Sequence, residues 1–247
     1  MKAAFITMDK LPENSIKVEN KLVRWFRNYW YYYKWWFFAA IFAVVVLSVL
    51  IGQSCSRTDS VIKIVYGGTY PPSGNAVPGM EDALSAVIPD DYAEDGVKSA
   101  SLIMFHYYTD EQIAQTQKDN PLITIDKNNN RQELGKFKDS VVSNDAFLCL
   151  VDPSLYDVLD EMGLVTPLSE ILGYTPENAV EGKAIRLSDT EFGQYFAGFA
   201  ELPETYICVR KPSAIQSSTG KGTDSHAYQL AVATFKSIIS YKAPEEN

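Results

Sequence analysis

One uninterrupted apolar run, residues 35–51, most constrains what this chain can form. The run contains a single polar residue, Ser48, and no charged residue. An α-helix of this length extends about 26 Å, close to the ~30 Å hydrocarbon core of a bilayer. The run therefore predicts one transmembrane helix over residues 35–52, followed by a long polar remainder.

Charge is distributed unevenly about this run. Residues 1–34 hold seven Lys or Arg against three Asp or Glu, whereas residues 52–247 hold 15 against 28. Because basic segments stay on the cytoplasmic side, this asymmetry predicts a cytoplasmic N-terminus and an extracellular C-terminal domain on a single-pass cell-membrane protein. The predicted order is a cytoplasmic basic and aromatic segment (1–34), the transmembrane helix (35–52), a linker (53–60) and an extracellular domain (61–247).

Three alternatives to a lasting signal-anchor are open. A cleaved signal peptide has a short basic region, whereas 34 residues precede this run. A lipoprotein signal needs small residues before a modified cysteine, and Gly52 and Gln53 match that pattern poorly before Cys55. A buried core helix is disfavoured by the aromatic residues and the charge asymmetry that flank the run.

Composition excludes several classes of partner and cofactor. The acidic remainder argues against nucleic acid, since phosphate binding needs a basic surface. Three cysteines indicate neither a disulfide scaffold nor a zinc site, and the sequence predicts no cofactor and no metal. Cys149 and Cys208 lie in apolar, strand-like runs, which favours buried thiols and leaves open a disulfide between neighbouring strands.

Residues 61–247 alternate apolar strand-like runs with helical patterns. Predicted strands cover residues 61–66, 102–107, 122–125, 146–151, 184–187 and 205–209. Predicted helices cover residues 80–88, 109–117, 134–142, 153–162, 169–172 and 228–241. Because the strands are apolar throughout, both faces of their sheet should be covered, which predicts an α/β three-layer sandwich with a mostly parallel sheet.

Candidate ligand-binding residues follow two of these strands. Gly68, Thr69 and Tyr70 come at the end of the first strand, and Asp152 follows the strand at 146–151. Ligands of open α/β sheets bind outside the carboxyl ends of the strands, so these residues are predicted to contact a ligand. Each also has a structural interpretation: the glycine shapes a β–α loop, and Asp152 caps a helix that begins at Pro153.

Catalytic patterns are scarce in the sequence. His106 and His226 belong to no metal-ligand spacing, and there is no P-loop or nucleophile elbow. Residues 126–130 are similar to the start of a calcium loop but lack its glycine and its glutamate, so they are interpreted as a hairpin turn. The chain is therefore predicted to bind and not to catalyse.

Residues 144–172 read NDAFLCLVDPSLYDVLDEMGLVTPLSEIL. The order of an apolar strand, a helix after Asp152, a Gly-Leu-Val-Thr-Pro-Leu turn and a short helix resembles a segment of bacterial extracellular solute-binding proteins. These are the type 2 periplasmic-binding-protein-like proteins that serve ABC importers. The resemblance implies a ligand-binding lobe with strand-end residues near the ligand. That family clamps its ligand between two lobes, whereas residues 61–247 have room for one.

The leading hypothesis is a membrane-anchored extracellular protein that binds a small solute for uptake or sensing. The alternative is a membrane-tethered interaction or accessory subunit of a transporter or surface complex, without a small-molecule ligand. A surface hydrolase is disfavoured, because the sequence offers no recognisable nucleophile–base pair.

Overall fold

The structure is a computed structural model that describes residues 21–55, 61–69, 72–92, 97–200, 202 and 204–244. The chain divides into two compact units, Met1–Thr58 and Asp59–Asn247. Residues 1–20 of the predicted cytoplasmic segment and residues 56–60 of the predicted linker lie outside the described residues.

The described residues of the first unit form the helix α1 (Lys21–Cys55), which includes the whole apolar run 35–51. Its described apolar side chains are exposed, Trp36 to 76%. The side chains of the apolar run are described as far as Val49. The side chain of Cys55, the possible lipidation site, also lies outside the described residues. Among the residues that the structure describes, no helix is both long and apolar enough to cross a membrane.

The second unit alternates strands and helices. Its strands are β1 (Ile62–Gly68), β2 (Ala100–His106), β3 (Leu148–Val151), β4 (Ala179–Val180), β5 (Ala184–Arg186) and β6 (Tyr206–Val209). Its helices are α2 (Ala76–Ala86), α3 (Asp110–Asp119), α4 (Lys127–Ser143), α5 (Pro153–Glu161), α6 (Leu168–Leu172), α7 (Glu191–Tyr195), α8 (Ala197–Ala200), α9 (Ala214–Ser218) and α10 (His226–Ile239). Short 3₁₀ turns occur at Asp90–Tyr92 and Leu187–Asp189.

The strands of the described residues form one mixed sheet in the order β2-β1-β3-β6-β5-β4. β1 is parallel to β2 and β3, whereas β6 is antiparallel to β3 and β5, and β4 is antiparallel to β5. The α/β prediction is confirmed, and the prediction of a mostly parallel sheet is wrong beyond β3. Apolar strand runs report burial on both faces of a sheet, and an antiparallel strand buried on both faces carries the same pattern.

Helices pack on both faces of this sheet. Ile64 and Tyr66 of β1 belong to one core, on the face that α2 and α10 cover. Val65 between them belongs to a second core, on the face that α4 and α5 cover. The two cores follow from the alternation of side chains along a strand.

Two local predictions are wrong. Asp126 opens no hairpin but caps α4, because its side chain accepts the N–H groups of Asn128 at 2.8 Å and Asn129 at 3.3 Å. Short polar side chains favour turns and helix N-caps alike, so the pattern alone does not separate the two. Residues 122–125 form no strand, and Leu122 is 94% exposed.

Cys149 and Cys208 lie directly opposite each other on β3 and β6. Both are fully buried and both are free thiols. The prediction of buried thiols is confirmed, and the disulfide between these neighbouring strands is not formed in this structure.

Candidate functional site: a cavity at one edge of the sheet

Four chain segments meet at one edge of the sheet. Because β1, β2 and β3 are parallel, their carboxyl ends lie at this edge. β6 runs in the opposite direction and begins here, with Tyr206 opposite Val151. The edge is therefore built by the residues after β1, by α3 after β2, by the start of α5 after β3 and by the residues before β6.

A cavity of about 490 Å³ lies at this edge. That volume is within the ~300–1,000 Å³ of small-molecule sites in proteins. The cavity is lined by Thr69, Gln112, Gln115, Thr116, Asp119, Asn120, Ile123, Asp152, Pro153 and Glu204.

A buried hydrogen-bonded pair joins two of the segments at the cavity. Thr69 donates to Oδ2 of Asp152 from its backbone N at 3.2 Å and from its hydroxyl at 3.1 Å. Oδ1 of Asp152 accepts the backbone N–H of Leu155 at 2.9 Å and so caps α5. Thr69 and Asp152 are 6% and 5% exposed. The pair fixes the end of β1 against the start of α5.

A polar stripe on α3 forms one wall of the cavity. Gln112, Gln115, Thr116 and Asp119 recur at the spacing that places residues on one helix face. The Gln115 side-chain amide donates to both carboxylate oxygens of Asp119, at 3.0 and 2.9 Å. The Gln112 side-chain amide reaches the hydroxyl of Ser154 in α5 at 3.5 Å. The stripe therefore presents amides, a hydroxyl and a carboxylate to the cavity.

Glu204 closes the cavity from the side of β6. Its Oε1 accepts the Tyr206 hydroxyl at 3.1 Å and lies 3.0 Å from Nε of Arg186. Glu204 and Arg186 also line a second cavity of about 650 Å³, which extends towards α7 and α8. This half-exposed ion pair stands between the two cavities.

Asp152 is the buried carboxylate of the first cavity, and it affects the pKa values of neighbouring groups. Burial raises the pKa of Asp152, and the donors from Leu155 and Thr69 partly oppose that shift. Burial, and then the charge of Asp152, raise the pKa of Tyr66 to about 12. Burial first, and nearby carboxylates that include Asp152, raise the pKa of Tyr107. The negative potential of Asp152 thus reaches its neighbours because the surroundings are poorly solvated.

The predicted site residues are only partly brought together. Thr69 and Asp152 line the cavity, and Asp152 also caps α5 as the alternative interpretation requires. Gly68 ends β1, where an added Cβ would lie 3.7 Å from Cβ of Asp152, but it does not line the cavity. Tyr70 lies outside the described residues. Contact of these four residues with a ligand stays a prediction.

Several contributors to the cavity, among them the stripe on α3 and Glu204, were not predicted from the sequence. The stripe on α3 carries a usable signal, because a helix that follows a strand of a parallel pair starts at the carboxyl edge of the sheet. Glu204 carries none, because its place at this edge depends on the antiparallel direction of β6.

The described lining residues offer hydrogen-bonding groups together with an apolar wall from Ile123 and Pro153. His106 and His226 do not belong to the lining. Within the described part of the chain, no group of three or more His, Cys, Asp or Glu could hold a metal ion. Comparisons with protein-family profiles, curated proteins and solved structures found no significant match to this chain.

Proposed function

We propose that the chain is a membrane-anchored extracellular solute-binding-like protein whose second unit holds a small solute in the 490 Å³ cavity. The cavity itself carries the proposal. It combines a suitable volume, an apolar wall and a few convergent polar groups at the carboxyl edge of parallel strands, where ligands of α/β sheets bind.

The arrangement of the lining favours binding over catalysis. The described hydroxyls of the cavity belong to Thr69 and Thr116, and no described histidine or lysine stands beside them as a base. The Thr69 hydroxyl is already bonded to Asp152. An activated nucleophile requires an adjacent general base. The Thr69 hydroxyl instead donates a hydrogen bond to a buried carboxylate and so positions it.

The order of elements over residues 144–172 supports the resemblance to one lobe of a solute-binding protein. β3, α5 and α6 succeed one another as that resemblance implies, and Asp152 lies at the carboxyl end of β3 beside the cavity.

Features of α1 support the membrane anchor. Trp25, Tyr29 and Tyr33 stack at one-turn intervals, with ring centroids 5.6 and 4.8 Å apart. Aromatic rings of this kind favour the boundary between water and lipid. The apolar run 35–51 follows them within the same helix and carries no charge.

A thermal-shift screen of the full-length protein in detergent tests solute binding. The panel contains sugars, amino acids, short peptides, diamines and dicarboxylates. A ligand at ~100 times its dissociation constant adds about 2.7 kcal/mol of stability, which raises the melting temperature measurably. We expect one compound class to produce a saturable rise.

A pair of variants assigns that rise to the cavity. Thr116→Phe fills the cavity from α3, whereas Gln117→Phe places the same ring on an exposed position of the same helix outside the lining. The shift should disappear in Thr116→Phe and persist in Gln117→Phe. Equal shifts in both variants would place the binding elsewhere and contradict the proposal.

The exposed apolar segment after α3 favours a second candidate function, an accessory subunit that contacts another surface protein. Leu122 is 94% exposed and Ile123 is 43% exposed. A cooperative melt that responds to no compound would support this alternative. Site-specific crosslinking from Leu122 in intact cells would then have to yield a discrete partner, and loss of the product in Ile123→Ser would tie the contact to this segment.

Labelling of a cysteine at position 60 tests the predicted topology. Ser60→Cys in a Cys55→Ser background places a reactive thiol after the apolar run, while Cys149 and Cys208 are buried. A membrane-impermeant maleimide should label this variant on intact cells. Labelling that requires lysis would reverse the orientation, and extraction of the protein by alkaline carbonate would refute the anchor.

A further inference from the structure

Carboxylates dominate the charge of the 490 Å³ cavity. Asp119, Asp152 and Glu204 line it, and no Lys, Arg or His belongs to its described lining. These three come from three separate segments, the end of α3, the start of α5 and the residues before β6. The cavity therefore carries negative charge on several of its walls.

Neighbouring cations compensate little of this charge. The described donors to Asp152 are neutral and come from Thr69, Leu155 and the Ser154 backbone. Asp119 accepts the neutral amide of Gln115. Glu204 alone meets a cation, Arg186, which approaches from the second cavity and is itself half-exposed. Asp152 is buried and Asp119 is exposed, and among the described residues neither is paired with a cation. A cleft lined by charges of one sign attracts ligands of the opposite sign, so these carboxylates favour a cationic occupant.

The chemistry of the walls decides between an inorganic and an organic cation. In the described residues, Asp119, Asp152 and Glu204 do not form a group that could hold a metal ion. A chelated divalent cation requires several oxygens at one point. Ile123 and Pro153 instead add apolar surface to the lining, which suits a hydrocarbon body.

We infer that the cavity takes an organic cation, an ammonium or guanidinium group carried on a short hydrocarbon chain. The inference rests on the proposed function, because it names the ligand class of the same cavity. Carboxylates at separate walls fit a ligand with two cationic ends better than a single point charge.

Isothermal titration of the full-length protein in detergent with three matched probes tests the ligand class. Pentane-1,5-diamine, pentane-1,5-diol and glutarate share a five-carbon body and differ in charge. We expect saturable binding of the diamine and none of the diol or of glutarate.

Variants link the binding to the proposed carboxylates. Asp119→Asn and Glu204→Gln should each weaken diamine binding about fivefold to tenfold, because each removes one charge-assisted contact. Asp157→Asn removes an exposed carboxylate of α5 that does not line the cavity, and it should leave the affinity unchanged. Thr116→Phe should abolish binding.

The outcomes separate this inference from the proposed function. Binding of the diol or of glutarate that Thr116→Phe abolishes would overturn the inferred ligand class and leave a solute-binding cavity in place. Diamine binding that survives Thr116→Phe, Asp119→Asn and Glu204→Gln would reflect attraction to the acidic surface and overturn the inference. Absence of diamine binding would also overturn it, and the wider thermal-shift screen would then decide the proposed function independently.

Discussion

Two buried charged side chains lie at opposite edges of the sheet, one after β3 and one after β6. Asp152 lines the cavity and accepts hydrogen bonds from Thr69 and from the backbone N–H of Leu155 at the start of α5. Arg210 is fully buried, with its guanidinium 4.6 Å from the centre of the Phe147 ring. It donates to the carbonyl oxygens of Ala146 at 2.9 Å, of Lys211 at 3.3 Å and of Asn144, and to the side chain of Gln216 at 3.0 Å.

The different surroundings of Arg210 and Asp152 distinguish a charge that stabilises the fold from a charge that is a candidate for ligand binding. Arg210 lines neither cavity, and its hydrogen bonds tie the residues before β3 to those after β6. Asp152 is nearly as buried, yet open space remains beside it. Burial of a charge alone therefore does not identify a site, and the adjacent cavity does.

Removal of Arg210 should have the largest effect on stability. Arg210→Met leaves several buried oxygens without a donor, so we expect a loss of about 3–5 kcal/mol in the free energy of unfolding. Urea unfolding followed by far-ultraviolet circular dichroism measures it, since all four tryptophans lie in α1 and the second unit contains none. The neighbouring Lys211→Met should change stability by no more than ~0.5 kcal/mol. A similar loss in the free energy of unfolding for both variants would show that the buried hydrogen bonds of Arg210 do not stabilise the fold.

Truncation of Asp152 should lower the free energy of unfolding by less than removal of Arg210 does. Asp152→Ala removes the cap of α5 and the acceptor of Thr69, which predicts a loss of about 2–3 kcal/mol. Asp126→Ala provides the matched control, because Asp126 caps α4 from an exposed position without joining a second segment. Its expected cost is ~1 kcal/mol. Equal losses would mean that the bond to Thr69 contributes nothing.

The hydroxyl of Thr69 should account for part of that difference. Thr69→Val keeps the backbone donor to Asp152 and removes the hydroxyl, at an expected cost of about 1 kcal/mol. Thr69→Ser should retain most of the stability. A double-mutant cycle with Asp152→Ala measures the coupling, and additive losses would refute a direct interaction.

The pH dependence of stability should show the smallest effect. Burial raises the pKa of Asp152 above the value of about 3.9 in an unfolded chain. Between the pKa of the unfolded chain and the raised pKa of the folded protein, the folded protein binds the proton more tightly. The contribution of Asp152 to the free energy of unfolding therefore falls as the pH rises through this window. Asn at position 152 does not titrate, and the wild type should lose stability relative to Asp152→Asn over that interval. The opposite slope would show a carboxylate that the fold stabilises in its charged form.

Local signals in the sequence were enough for most of the elements. Asp152 and Pro153 mark the start of α5, and the β-branched run at 61–66 marks β1, because capping and strand propensity depend on adjacent residues. Where one signal serves two structures, the prediction failed. Asp126 favours a turn or an N-cap, and only the packing of Phe137 and Val141 into the core selects the helix.

The candidate site shows the same division. The meeting of Thr69 and Asp152 follows from parallel pairing of β1 with β3, which apolar strands separated by helices already indicate. The cavity also needs Glu204, and nothing near residue 204 in the sequence indicates that.

By itself, the sequence determined the apolar run, the α/β class and the strand-end position of Asp152, since periodicity, capping and charge are local properties. Only the tertiary structure decided which residue β6 brings to Asp152. A parallel β6 would have placed Arg210 at the carboxyl edge and Glu204 at the other. Strand direction depends on pairing between residues more than 50 positions apart, Val151 with Tyr206, and no local pattern of side chains encodes it.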